Sequence, residues 1–196
     1  MKMNLPNRLT LFRVVMIPVF IVLYFVEFEG HKAAALGVYF LACVTDFLDG
    51  YIARKNNLVT NFGKFVDPVA DKMLVASSLI AICVTAPIVE PANVYTILIA
   101  VYTTLILSRE LMISVFRTVA ADKRVVIAAD ITGKIKTMVQ MMATFALIPV
   151  TDFYAWNEMA GIVFFYGGFA LLSLATLLTV ISGAHYLIKN KQVLAD

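Results

Sequence analysis

The sequence has few charged residues for its length. Asp, Glu, Lys and Arg make up 15% of its 196 residues, while the apolar set AVILMFWYC makes up 61%. Soluble globular proteins carry roughly 25% charged residues and about 45–50% apolar residues, even with glycine counted. So few polar side chains cannot cover a soluble fold of this size, which excludes a soluble enzyme and indicates an integral membrane protein.

Cysteine and histidine are also scarce, and the net charge is small. The two cysteines, Cys43 and Cys83, lie far apart in apolar runs, which excludes a disulfide framework and a CxxC site. The two histidines, His31 and His185, are isolated, so no cluster favours zinc or copper. A formal net charge of +3, from 16 basic and 13 acidic residues, is too weak a bias for a nucleic-acid-binding protein.

Long hydrophobic runs, in contrast, are abundant. A bilayer core of about 30 Å requires roughly 20 mostly apolar residues per helix. Six segments qualify if a few charges are tolerated: Leu9–Val26, Ala33–Ala53, Phe65–Val89, Pro91–Ser108, Ile131–Val150 and Met159–Ile188. We interpret the first as a membrane helix rather than a signal peptide, because further hydrophobic segments follow it. The sequence predicts a single all-α membrane domain over residues 1–196, with six transmembrane helices.

The distribution of basic residues predicts the orientation of these helices. Cytoplasmic segments of membrane proteins hold most of the Lys and Arg. All but Lys32 of the 16 basic residues fall on the side of the two termini, either in loops or at the neighbouring helix ends. We therefore predict that both termini are cytoplasmic. The opposite loops are expected to contain the interfacial aromatics Tyr154 and Trp156 and the acids Glu27, Glu29, Glu90, Asp152 and Glu158.

Acidic residues are concentrated on two neighbouring helices. Two carboxylates and two small residues follow the i, i+3, i+4, i+7 spacing of one helical face. They are Asp46, Asp49, Gly50 and Ala53. On the next predicted helix Gly63, Asp67 and Asp71 repeat every fourth residue. A short turn between the helices allows an antiparallel pair, in which the four carboxylates meet near the cytoplasmic end.

Four intramembrane carboxylates need partners, because each costs roughly 2.5–3.5 kcal/mol on insertion scales. Hard oxygen ligands suit Mg²⁺ or Mn²⁺. A site with two such ions can clamp a pyrophosphate and support phosphoryl transfer. The alternatives are that the acids pair with Arg54, Lys64 and Lys72 in a buried ion network, or that they line an ion pathway.

With Arg54, these residues form the pattern D-x2-D-G-x2-A-R-x8-G-x3-D-x3-D between positions 46 and 71. The pattern resembles the signature of the CDP-alcohol phosphotransferase family. The resemblance implies a six-helix membrane fold, usually dimeric, in which an alcohol hydroxyl displaces CMP from a CDP-linked lipid. It implies two metal ions on Asp46, Asp49, Asp67 and Asp71, with Asp71 also acting as the catalytic base. It also implies a CDP site formed by Asp46, Asp49, Gly50, Ala53, Arg54, Gly63 and Asp67.

Three further motifs resemble the branch of this family that uses CDP-diacylglycerol and glycerol 3-phosphate. They are N-L-P-N-x-L-T-x2-R from Asn4, R-E-x6-R from Arg109 and G-K-x-K-T from Gly133. Arg binds phosphate in a bidentate manner and Lys binds it as a point charge. We therefore expect the acceptor phosphate to be bound by Arg109, Arg117 and Lys134. Further candidates for the site are Asn7, Thr10 and Lys136.

Other functions remain open at this point. Within the family the acceptor could instead be inositol phosphate, serine or phosphatidylglycerol. A membrane metal or ion transporter is the alternative from a different class. The resemblance favours a homodimer in a bacterial plasma membrane, surrounded by membrane lipids, with its active site on the cytoplasmic side.

Overall fold

The computed structural model describes residues 5–55, 61–85, 89–123 and 131–191, and every regular element in these ranges is helical. Seven α-helices are described there: α1 Leu5–Phe25, α2 His31–Lys55, α3 Asn61–Val84, α4 Ala92–Asp122, α5 Ile131–Leu147, α6 Val150–Trp156 and α7 Glu158–Lys189. The all-α prediction is therefore confirmed for the described part of the chain.

Five helical segments in the described ranges are long and apolar enough to cross a membrane. They are Asn7–Phe25, His31–Gly50, Ala92–Ala121, Thr132–Trp156 and Glu158–Lys189. Helix α3 is not among them, because the first half of this 24-residue helix carries Lys64, Asp67, Asp71 and Lys72. Only its second half, Met73–Val84, is free of charge. Of the six predicted spans, Phe65–Val89 is therefore the one that no candidate segment in the described ranges matches.

The chain folds into two compact units. The first comprises residues 1–85 and 148–161, and the second comprises residues 86–147 and 162–196. In the first unit α1 packs against α2 and α3, and a short contact joins α2 to α6. The second unit contains α4, α5 and most of α7.

Aromatic side chains form the core of the first unit. Phe20, Tyr24 and Tyr39 are buried, and the ring centroids of Phe20 and Tyr39 lie 5.7 Å apart. The Tyr24 hydroxyl lies 2.8 Å from the Thr85 hydroxyl, which hydrogen-bonds α1 to the residue that follows α3. These contacts fix α1 beside the two helices that carry the signature aspartates.

The prediction of a loop after the fifth span is wrong for several residues. Helix α5 ends at Leu147, and α6 begins directly after Pro149 and contains Asp152. Proline has no N–H and its ring clashes with the carbonyl four residues earlier, which favours a helix boundary at Pro149. Glu158, also predicted to lie in a loop, is the first residue of α7. Trp156 in α6 is 81% exposed, as expected for an interfacial aromatic residue.

Helix α6 also holds the start of α2. The Asp152 carboxylate accepts a hydrogen bond of 3.0 Å from the backbone N–H of Ala33, in the first turn of α2. The first N–H groups of a helix have no partner within the helix, so this carboxylate satisfies one of them. A short helix distant in sequence therefore anchors the helix that carries Asp46 and Asp49.

The second unit is held together at several depths along α7. Ile113, Phe116 and Ala120 of α4 form a buried cluster with Tyr186 of α7. Further along α7, a Cβ on Gly168 would lie 2.7 Å from Leu147 Cγ, closer than real Cβ contacts. Gly168 therefore permits the close approach of α5 and α7.

Candidate active site

Helix α2 presents Asp46 and Asp49 one turn apart. The Asp49 side chain is 6% exposed, whereas that of Asp46 is 45% exposed. Gly50 follows and is half-buried. The predicted residues Ala53 and Arg54 belong to α2, but their side chains lie outside the described residues.

Helix α3 presents Gly63, Asp67 and Asp71 along one line of its surface. Gly63 is buried, Asp67 is half-buried and Asp71 is exposed. The Thr10 hydroxyl of α1 donates a hydrogen bond of 2.6 Å to Asp67 Oδ1. Asp71 and Asp46 both lie close enough to the Cys43 thiol for their charges to act on it. Asp71 is therefore near the same stretch of α2 as Asp46.

Arg13 of α1 joins the two aspartates of α2. Its Nη1 lies 2.6 Å from Asp46 Oδ1, and its Nη2 donates a hydrogen bond to Asp49 Oδ2. The Arg13 side chain has no exposed surface. A buried cation is stable only when it is paired, and these two carboxylates compensate its charge. The structure therefore places a guanidinium at the centre of the acidic cluster.

The sequence left open a buried ion network in which the acids pair with Arg54, Lys64 and Lys72. The structure pairs two of the acids with another cation, Arg13. Lys72 donates to the backbone carbonyl of Pro68 at 3.2 Å rather than to a carboxylate. The side chains of Arg54 and Lys64 lie outside the described residues. Arg13, to which we assigned no partner from the sequence, is the cation paired with Asp46 and Asp49.

A sequence signal for this role of α1 does exist. Asn7, Thr10 and Arg13 follow one another at intervals of three residues at the start of a mostly apolar helix, and all three are buried. Residues at this spacing share a face of a helix. Since polar side chains are costly inside a membrane, such a buried polar face indicates a functional contact.

The described carboxylates have the chemistry of a site for a hard cation, although they are not arranged as a closed ligand cluster. Asp67 lies close enough to Asp46 and Asp49 for their negative charges to repel. No three Asp, Glu, His or Cys side chains among the described residues are grouped closely enough to hold one metal ion. Arg13 and Thr10 engage one oxygen each of Asp46, Asp49 and Asp67. The donor set fits Mg²⁺ or Mn²⁺ in chemical type.

A second polar cluster lies in the second unit, on α4, α5 and α7. Glu110 of α4 forms an ion pair with Lys136 of α5, and its Oε1 also lies 3.6 Å from Arg109 Nη1. Arg109 Nη2 donates to the Ser182 hydroxyl at 3.1 Å. Arg109 Nε is buried and has no hydrogen-bond partner among the described residues. An unused buried donor costs about 1–3 kcal/mol, so the hydrogen bonding of this cluster is incomplete within the described residues.

The predicted acceptor residues differ in their surroundings. Arg117 and Lys134 are exposed, and neither forms an ion pair within the described part of the chain. Arg117 Nε donates to the Tyr186 hydroxyl at 3.3 Å. Lys136 is buried against Glu110, so its charge is already compensated by the protein. Arg117 and Lys134 are therefore better placed than Lys136 to meet an anion from solution.

Comparison with known proteins identifies the class. A model of the CDP-alcohol phosphatidyltransferase family matches residues 3–182, and the chain belongs to this family. The resemblance found in the sequence is confirmed by this match, which spans both units.

Individual relatives match the chain over almost their whole length. The protein from Bacillus subtilis is 36% identical and the match covers 97% of each chain. The one from Haemophilus influenzae is 37% identical over 100% of this chain and 98% of its own. The one from Escherichia coli is 36% identical over 94% of this chain and 96% of its own. Each of the three is named CDP-diacylglycerol–glycerol-3-phosphate 3-phosphatidyltransferase.

Proposed function

We propose that this chain transfers the phosphatidyl group of CDP-diacylglycerol to glycerol 3-phosphate, giving phosphatidylglycerophosphate and CMP. The observation that carries the proposal is the set of signature aspartates on α2 and α3, gathered beside the buried Arg13. The choice of substrates is supported by relatives that bear the name of this reaction and match the chain over almost its full length.

The proposed reaction exchanges one phosphorus–oxygen bond for another. The free primary hydroxyl oxygen of glycerol 3-phosphate bonds to the phosphorus that carries diacylglycerol. The bond from this phosphorus to the CMP oxygen breaks, and CMP leaves with the electron pair. Asp71 takes the hydroxyl proton, since it is an exposed carboxylate of the set and a carboxylate can serve as a general base.

Asp46, Asp49, Asp67 and Asp71 are the residues that would hold Mg²⁺ or Mn²⁺, two ions according to the family resemblance. When bound, such ions neutralise the pyrophosphate and stabilise the leaving oxygen. Arg13 orients Asp46 and Asp49 by pairing with one oxygen of each carboxylate. The CDP moiety is proposed to lie against Gly50, Ala53, Arg54 and Gly63, where small residues leave room beside the helix backbones.

The cations of the second unit are proposed to bind the phosphate of the acceptor. Arg117 and Lys134 are exposed and have no acidic partner within the described ranges. Arg109 retains a buried N–H without an acceptor in the same ranges. A phosphate monoester is an anion that these groups can bind, whereas serine or free glycerol offers no such charge. Lys136 forms an ion pair with Glu110 and is proposed to stabilise the cluster without binding the acceptor.

We also propose the arrangement in the membrane. Helix α3 would also cross the membrane and bring the number of spans to six, because it has 24 residues and an uncharged second half. Both termini and the active site would face the cytoplasm of a bacterial cell, given the basic residues on that side. The continuous family match over residues 3–182 supports one functional domain. A homodimer is carried over from the family resemblance.

The decisive experiment incubates the purified protein with CDP-diacylglycerol and one acceptor at a time. The acceptors are glycerol 3-phosphate, inositol phosphate, serine and phosphatidylglycerol, each with Mg²⁺, with Mn²⁺ or with excess chelator. We expect CMP and phosphatidylglycerophosphate only with glycerol 3-phosphate and a metal. Efficient use of serine would overturn the acceptor assignment. Absence of CMP release with every acceptor would overturn the proposed reaction.

A further inference from the structure

We propose that Ser182, Gly183 and Tyr186 of α7 are positioning residues that orient Arg109 and Arg117 for the phosphate of the acceptor. This inference rests on the proposed function, in which the two arginines bind that phosphate. Ser182 and Tyr186 lie four residues apart on one face of α7, and each contacts one of the arginines. The family match ends at residue 182, so Gly183 and Tyr186 lie beyond it.

Ser182 holds the guanidinium of Arg109 through a hydroxyl whose own direction is set. The buried Ser182 hydroxyl donates to the backbone carbonyl of Thr179 at 3.3 Å. Because its hydrogen points to this carbonyl, its lone pairs are available to Arg109 Nη2, which donates at 3.1 Å. Arg109 is thereby tied to α7 as well as to Glu110 beside it on α4.

Gly183 leaves the space in which the Arg109 side chain lies. A Cβ at this position would be 3.1 Å from Arg109 Cγ and 3.7 Å from Arg109 Nε. The first distance is tighter than most real contacts, so an alanine requires the Arg109 side chain to shift by a few tenths of an ångström. The absence of a side chain at Gly183 therefore allows the Arg109 side chain, including its buried Nε, to lie against α7.

Tyr186 is a rigid support for Arg117. Its ring is buried among Ile113, Phe116 and Ala120, and its centroid lies 5.7 Å from that of Phe116 in an edge-to-face arrangement. Its hydroxyl accepts from Arg117 Nε, and the guanidinium carbon lies 5.7 Å from the ring centroid. Since only Nε is engaged within the described residues, the terminal nitrogens of Arg117 are available for an anion.

Orienting long cationic side chains in advance reduces the entropy lost when an anion binds. In the described part of the chain, the contacts given for Ser182, Gly183 and Tyr186 include the two arginines. Their loss is therefore expected to weaken binding of the acceptor while leaving the chemical step and the lipid donor unaffected. This pattern distinguishes positioning residues from catalytic ones.

The test uses the full chain in mixed micelles and compares Tyr186→Phe, Ser182→Ala and Gly183→Ala with the unmodified protein. We expect Tyr186→Phe and Ser182→Ala to raise KM for glycerol 3-phosphate roughly three- to tenfold, the effect of losing one hydrogen bond. Gly183→Ala should raise the same KM by displacing the Arg109 side chain. The kcat and the KM for CDP-diacylglycerol should stay within about twofold of the values of the unmodified protein, as for substitutions with little effect. Ser182→Thr, which keeps the hydroxyl, should restore the acceptor KM.

Two matched controls lie on the same helix. A Cβ on Gly167 would meet nothing within 4 Å, so Gly167→Ala controls for an added methyl group. The Ser173 hydroxyl donates to the Phe169 carbonyl at 2.8 Å, so Ser173→Ala controls for a lost hydroxyl. Both control variants should keep the acceptor KM of the unmodified protein.

The outcomes separate this inference from the proposed function. If Arg109→Ala and Arg117→Ala raise the acceptor KM but the α7 variants do not, the positioning role is overturned and the acceptor site stands. If neither arginine variant changes the acceptor KM, the acceptor site itself is wrong. If the α7 variants lower kcat and weaken both substrates together with thermal stability, their role is structural and the inference fails.

Discussion

Arg13 combines complete burial with two carboxylate partners on a neighbouring helix. A charged group inside a membrane protein is retained only where its desolvation is compensated. Asp46 and Asp49 need the same compensation, because Asp67 adds a further negative charge nearby. The guanidinium and the carboxylates therefore stabilise one another, and the orientation of two proposed metal ligands depends on Arg13.

We expect Arg13→Met to lower the stability of the protein by about 3–5 kcal/mol, because it leaves the buried Asp49 carboxylate without its counter-charge. CMP release should also be lost. Thermal unfolding in detergent and a turnover assay measure the two effects. Arg8→Met is the control, since Arg8 is exposed on the same helix. Unchanged stability and turnover in Arg13→Met would show that the ion pairs have no structural role.

Substitutions of the signature aspartates should have two kinds of effect, loss of a metal ligand and loss of the catalytic base. Asp49→Ala and Asp67→Ala each remove a proposed metal ligand, so turnover should disappear while the protein still inserts and purifies. Asp71→Asn keeps an oxygen but loses the base, so nucleotide binding should survive better than catalysis. Isothermal titration with CMP and metal, together with CMP release, measures both properties.

Glu29→Gln is the control for these acids, because Glu29 is exposed and lies between α1 and α2. Its turnover should match that of the unmodified protein. Asp71→Asn turning over at the unmodified rate would remove Asp71 from the role of base.

Binding of the acceptor glycerol 3-phosphate should depend strongly on Arg117. Replacement by Ala removes a charged donor, and hydrogen bonds to charged groups contribute about 1.5–3 kcal/mol, so KM for glycerol 3-phosphate should rise roughly ten- to a hundredfold. The KM for CDP-diacylglycerol should change little. Initial-rate kinetics with each substrate varied in turn test this, and equal losses for both substrates would contradict the assignment.

Two helices without signature residues contact the helices that bear the proposed functional residues. Helix α7 supplies Ser182 and Tyr186 to the arginines of α4. Helix α6 supplies Asp152 to the first turn of α2. These contacts join α4 to α7 and α2 to α6. The helices α4 and α2 bear proposed functional residues, whereas α7 and α6 bear none of the family signature. The position of a functional helix thus depends on elements that show no motif of their own.

At the level of elements we expect Asp152→Ala to loosen the start of α2. Loss of a side-chain cap costs about 1 kcal/mol, so the melting temperature should fall by a few degrees. Asp152→Asn keeps an oxygen acceptor for Ala33 N–H and should lose less. Differential scanning fluorimetry in detergent compares the two variants. A larger loss in Asn than in Ala would contradict the capping role.

The whole chain is predicted to have both termini in the cytoplasm. Single cysteines placed at Lys123 and Asn190 should react with an impermeant thiol reagent from the cytoplasmic side, and one at Glu29 from the opposite side. The background is Cys43→Ser with Cys83→Ser, since these two are free cysteines. Labelling of positions 123 and 190 from opposite sides would overturn the six-span topology.

Much of this protein follows from local sequence. The apolar segments predict its membrane helices, because length and composition alone decide whether a helix can cross a bilayer. The face shared by Asp46 and Asp49, and that shared by Asp67 and Asp71, follow from helical periodicity. The family signature follows from the same residues, and the family match confirms it.

Other features are decided only by tertiary packing. Arg13 lies 36 positions from Asp49, Lys136 lies 26 from Glu110, and Ser182 lies 73 from Arg109. Periodicity shows which residues share a face of one helix, but not which face of another helix meets it or how deeply a side chain is buried. The pairing of Arg13 with the α2 acids, the compensation of Lys136 and the supports on α7 therefore required the packed structure.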